Sequence, residues 1–119
     1  MNQVLRACYN EFSQSYPLKE GLLLVGRSDS CDIRLDSTWV VASGKHMQIR
    51  VDSSGEIYAK DGCNGRPSTN GTKINNKYLD SDAWRRVGES DEIEIGNTIK
   101  DSIRIYIEKV DALRKPGQS

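Results

Sequence analysis

The chain of 119 residues has room for one hydrophobic core and is too short for two domains of ordinary size. Lysine plus arginine, 17 in all, balance 17 aspartates and glutamates, so no global field draws the chain to nucleic acid or an anionic membrane. An anion site must therefore be built locally, and the longest aliphatic run, Leu22-Leu23-Leu24-Val25, is far below the roughly twenty residues a membrane helix needs.

The first ten residues contain no continuous apolar segment after a positive start, so no secretory signal is expected and a reducing, intracellular compartment (nucleus or cytoplasm) is the default. Tyr9 to Gln14 allows at most a turn of helix. Cys8, Cys31 and Cys63 are odd in number, widely spaced and free of any Cys-x-x-Cys, which argues against a disulfide framework. They read as ordinary thiols. With His46 the only histidine, a zinc site would need all three cysteines to converge on it, and no metal is expected.

Period two governs the remainder. Leu22 to Val25 suits a strand covered on both faces, followed by Gly26-Arg27 and a turn at Ser28-Asp29-Ser30. Ile33 and Leu35 mark a short strand. Trp39-Val40-Val41-Ala42 is apolar for a loop and reads as a plug beneath a sandwich rim, the alternative being a partly exposed rim. Met47, Ile49 and Val51 alternate with polar residues, as do Ile57 with Ala59, Ile93 with Ile95, and Ile103, Ile105 and Ile107. Turn-forming residues separate them at 52–55, 61–72, 75–77 and 88–91. Asp80 to Arg86 is a second place where a helical turn fits, and residues 111–119, with Arg-Lys-Pro-Gly, look like a tail or linker after a domain at 1–110. About nine to eleven short strands at this spacing predict an all-β antiparallel sandwich.

Three polar motifs sit on the turns. Arg27 starts at a strand end, where a planar guanidinium can hold a phosphate by two parallel charge-assisted bonds. Alone it would read as a solvated turn arginine; with the other motifs beside it the anion reading prevails. Ser43 can cap its own loop or donate its hydroxyl to an anion. Within Ser68-Thr69-Asn70-Gly71-Thr72, Gly71 permits a positive φ, and Asn70 can bracket a turn or present its amide to another chain's backbone. Asn70-Gly71-Thr72 is also a glycosylation sequon, relevant only in a secreted chain. Gly62 to Lys73 does not fit the spacing of a nucleotide-binding phosphate loop. No nucleophile, base and orienting group converge, so no enzyme activity is expected.

Gly26-Arg27, Ser43-Gly44-Lys45-His46 and Ser68-Thr69-Asn70-Gly71-Thr72, in that order, resemble the forkhead-associated (FHA) domain family over about Gly21 to Val110. The resemblance implies an eleven-stranded β-sandwich of the FHA/SMAD type with binding loops at one end. It further implies a non-catalytic module that binds a phosphothreonine-containing protein or peptide in signalling, without cofactor, nucleic acid or membrane. The alternative is a phosphate-independent interaction or dimerisation module on the same fold. By resemblance Arg27, Ser43 and Thr69 contact the phosphate, Asn70 bonds the peptide backbone, and Gly26, His46 and Gly71 support the site. Val41, Gly44 and Arg66 are candidate specificity positions: Gly44 stands where many members carry arginine, lysine or asparagine, and Arg66 lies in a segment, residues 62–67, longer than usual.

Overall fold

The computed structural model describes residues 2–96 and 101–110; the predicted tail at 111–119 lies outside the described residues. The strands are β1 (Asn2–Tyr9), β2 (Phe12–Leu18), β3 (Gly21–Gly26), β4 (Ile33–Arg34), β5 (Met47–Val51), β6 (Ile57–Asp61), β7 (Thr72–Ile74), β8 (Lys77–Tyr78), β9 (Arg85–Val87), β10 (Ile93–Ile95) and β11 (Ile103–Val110). They form one sheet in the order β2-β1-β11-β10-β7-β8 and another in the order β4-β3-β5-β6-β9.

Alternation decides which side chains meet between the sheets. Leu5, Ala7, Ile74, Ile93, Ile95, Ile103, Ile105 and Ile107 come from the first sheet, and Val25, Ile33, Met47, Ile49, Val51, Ile57, Ala59 and Val87 from the second. Gln48 and Arg50 of β5, and Tyr58 and Lys60 of β6, fall on the outer face by the same period.

Three expectations change. Tyr9 to Gln14 is no helical turn but the tip of the β1–β2 hairpin, where Tyr9 pairs Phe12 and Asn10 takes a φ of 55°. Asp80 to Arg86 leads instead into β9, which pairs with β6 and buries Val87 opposite Ile57. β3 is not covered on both faces: Leu22 is 58% exposed, since only the inner face of its sheet meets a partner. Among the described residues the strand pairs are antiparallel except β3 with β4, where residues 27–32 bring the chain round to set Ile33 beside Val25 in parallel.

Residues 27–32, 35–46 and 62–71 leave β3, β4 and β6 at one end of the sandwich. At the opposite end Asn2 pairs Val110, and the Gln3 side chain ties the sheets together by donating to the Gly55 carbonyl at 2.8 Å.

Candidate functional site

β3 delivers Gly26 and Arg27 to the loop end, where residues 43–46 cross them. The His46 N–H donates to Val25 O (2.8 Å), Ser28 N–H to Gly44 O (2.9 Å) and Arg27 N–H to Ser43 O (3.3 Å). A Cβ at Gly26 would stand 2.2 Å from the Gly44 carbonyl oxygen, so the crossing admits only glycine there.

His46 is fully buried beneath this crossing. Its Nδ1 accepts the Ser43 N–H at 2.9 Å, which leaves the ring proton on Nε2, donated to the Gly71 carbonyl at 2.9 Å. Burial pushes its pKa below the ordinary histidine value, against the smaller opposing effects of the Gly71 carbonyl and the Asp61 charge. The imidazole thus pins the 35–46 and 62–71 loops to each other.

A buried carboxylate shapes the second loop. Asp61 accepts the Ser68 N–H (3.0 Å), the Ser68 hydroxyl (2.6 Å) and the Thr72 hydroxyl (2.6 Å), and Ser68 Oγ in turn accepts the Gly71 N–H (2.9 Å). Gly71 turns the chain at φ +84°, and a Cβ there would stand 2.7 Å from the Tyr78 ring. Residues 62–67 fold back on themselves: Asn64 and Gly65 take φ of 52° and 77°, and Cys63 and Arg66 exchange two backbone bonds of 3.0 Å. The long segment forms a wall.

Ser43 Oγ accepts the Thr69 N–H at 3.0 Å, joining the two loops at their tips. Because an incoming N–H occupies a lone pair, the hydroxyl proton remains to be donated outward. Beside this bond lies an open depression of about 570 Å³ lined by Ser43, Lys45, Cys63, Asn64, Arg66 and Thr69, with Pro67 at its edge. Two cations and no carboxylate line it. Sequence reasoning passed over Lys45; its place two residues after Ser43, on the exposed side of the crossing, was the available signal.

Other expected residues stand differently. The Arg27 side chain runs along the 35–46 loop, with Nε on Ala42 O (2.6 Å) and Nη1 on Ser37 O (3.2 Å), so two of its five donors are committed and it does not line the depression. Asn70 Nδ2 donates to Val41 O (2.9 Å), which turns its Oδ1 away from that carbonyl. Val41 itself is buried, as are Trp39 and Ala42, with Trp39 packed 5.5 Å from the Tyr9 ring; the plug reading holds for these three. Val40, 68% exposed, is the residue on the rim, while the Val41 side chain packs into the core. Gly44 is exposed, and a Cβ there would touch only Ser28 Cβ at 3.9 Å.

The cysteines are free, and Cys31 donates its thiol to Gly44 O, with burial raising its pKa. Among the described residues no three His, Cys, Asp or Glu side chains gather to hold a metal. A second depression of similar size lies at the opposite end of the sandwich, where Glu20, Asp52, Glu56 and Glu89 offset Arg86 and Lys109. It lacks the one-signed lining of the first.

No curated protein matches this sequence. Solved structures similar to it include the FHA domain of FhaA complexed with the intracellular domain of Rv3910, at 26% identity and a TM-score of 0.68 over 89% of this chain and 99% of that one. An FHA domain studied for phosphothreonine-dependent interactions is 24% identical, with a TM-score of 0.71 over 93% and 99%. The N-terminal FHA domain of Rad53p from S. cerevisiae, solved with a phosphothreonine peptide, is 22% identical, with a TM-score of 0.71 over 91% and 94%. These last two likenesses establish the fold. The FHA domain family model matches residues 23–96, more than half of the chain, with the Gly26 crossing, the His46 pin and the Ser43–Thr69 bond all inside that span; the chain belongs to the FHA domain family.

Proposed function

We propose that the loop end binds a phosphothreonine-containing segment of another protein, making the chain a phosphorylation-dependent interaction module. The observation that carries this is the Ser43–Thr69 bond, which leaves the Ser43 hydroxyl proton free to donate, with Lys45 and Arg66 beside it in a depression without a carboxylate. A phosphothreonine brings about −1.5 to −2 charges and three strong acceptors, which such donors match. Arg27 contributes its three uncommitted N–H groups from the neighbouring loop, and Asn70 Oδ1, fixed by the bond to Val41, accepts from the bound backbone. Arg66, on the lining of the depression, is the cation to select an acidic residue near the phosphate. Relatives solved with a phosphothreonine peptide or studied for phosphothreonine dependence support the same reading.

Binding needs no chemical step. Both nitrogens of His46 are committed to backbone groups and buried, so the imidazole has no free position from which to relay a proton.

Calorimetry with one peptide in phosphothreonine, phosphoserine and unphosphorylated forms tests the proposal. The unphosphorylated form should lose most of the affinity, and phosphoserine about tenfold, the worth of a small methyl pocket. Equal binding of all three forms would leave the sandwich as a phosphate-independent module.

A further inference from the structure

The outer face of the five-stranded sheet carries a cluster remote from the phosphate donors. Strand register sets Arg50 beside Tyr58 and Gln48 beside Lys60, and Trp84 folds over them from the segment entering β9. The Arg50 guanidinium carbon lies 4.6 Å from the Tyr58 ring centre and 5.0 Å from that of Trp84; the Lys60 ammonium lies 4.7 Å from the Trp84 ring.

The neighbours of Trp84 are spent, since Arg85 meets Asp91 at 3.8 Å and Arg86 meets Glu56 at 2.6 Å. Arg50 and Lys60 are different. Among the described residues neither forms an ion pair or a side-chain hydrogen bond, and Arg50 Nε is closed off from solvent without an acceptor. Asp52 feels the Arg50 charge without forming an ion pair with it, its Oδ1 accepting from the Ser54 N–H, the Ser54 hydroxyl and the Glu56 N–H.

Two rings fix the guanidinium plane, so its remaining N–H edge is ordered before any partner arrives. In a chain of zero net charge, two cations with no carboxylate in ion-pair contact leave a local positive charge beside the Arg86–Glu56 pair. Single-stranded nucleic acid binds such faces by stacking bases on free aromatic rings. Here Arg50 and Lys60 occupy the ring faces. What remains open is cationic N–H groups and, on the adjoining strand, exposed Leu22 and half-buried Leu24, paired with Arg50 and Gln48.

We infer that this face docks an extended acidic protein segment, its carboxylates on Arg50 and Lys60 and its apolar side chains on Leu22 and Leu24. The inference is independent of the loop-end reading, because the probe carries no phosphate.

The test is an NMR titration of the full chain with an unphosphorylated peptide of alternating glutamate and leucine, the same peptide with glutamine for glutamate, and oligothymidylate. The glutamate peptide should move the Trp84 indole N–H and the Arg50 and Lys60 amides while leaving those of Ser43 and Thr69 in place. Lys60→Gln should weaken it about fivefold, the upper range for one exposed ion pair. Arg50→Lys, which keeps the charge but loses the stacked fork, should weaken it similarly. Equal binding of the glutamine peptide, shifts confined to the loop end, tighter binding of oligothymidylate, or unchanged affinity in both variants would overturn the assignment.

Discussion

The Gly26 backbone and the Gly44 carbonyl stand so close that a side chain at position 26 would place its first carbon 2.2 Å from the Gly44 oxygen. This contact sets the spacing between β3 and the crossing segment, and so the place of Ser43. Gly26→Ala should destabilise the fold by about 3 kcal/mol, because backbone on both sides has to move. Urea unfolding measures it; a change under 1 kcal/mol, or roughly that, would mean the crossing is softer than its hydrogen bonds suggest.

Ser43→Ala removes one oxygen with two tasks. The Thr69 N–H loses its acceptor and the phosphate its outward donor. Stability should fall by about 1 kcal/mol, and phosphopeptide affinity by roughly thirtyfold, the equivalent of about 2 kcal/mol for a hydrogen bond to a charged group. Parallel unfolding and calorimetry separate the two losses.

Gly44 has room for a side chain and no positive φ. Gly44→Arg adds a cation beside Lys45 without disturbing the crossing. Phosphopeptide binding should tighten about fivefold at low salt, with most of the gain lost as salt screens it. Affinity unchanged at every ionic strength would place position 44 away from the phosphate.

His46 gives stability a pH dependence of predictable sign. Its folded pKa lies below the ordinary value near 6.5, so in the window just below 6.5 the unfolded chain binds a proton that the folded chain refuses. Stability is therefore full above this window and falls as the pH drops through it, by at most about 1.4 kcal/mol per pH unit. Asp36, Asp52 and Asp91, held below the usual carboxylate range by hydrogen bonds, act only in more acidic solution. His46→Gln should flatten the upper step. Thermal melts without peptide are required, since a phosphate's own second ionisation near 6 would obscure a binding curve.

Strands whose inner face is aliphatic and outer face polar were legible in the sequence. β5, β10 and β11 announce themselves by apolar residues at period two, because one buried face imposes that pattern. The β1–β2 hairpin was illegible for the converse reason: β2 is an edge strand with little burial, and its tip depends on one left-handed asparagine, Asn10. At the site, the hydroxyls, Asn70 and His46 were visible as motifs. The direction of the Arg27 guanidinium was not, because it follows carbonyls of Ala42 and Ser37 whose positions depend on the course of the whole 35–46 loop. Asp61 was hidden too, since a buried acid is recognised only when its three donors are seen around it. Val40 and Val41 are adjacent and chemically identical, and only packing distinguishes the rim from the plug.

The pairing of Asn2 with Val110 has an architectural consequence. Antiparallel partners lie about 5 Å apart at their Cα atoms, so the polypeptide enters and departs through almost one point. A surface loop of a host protein could be cut and this sandwich spliced into the gap with little stretch on either side. The Ser43–Thr69 edge would then project from the host like a plug on a stalk, unobstructed by the seam.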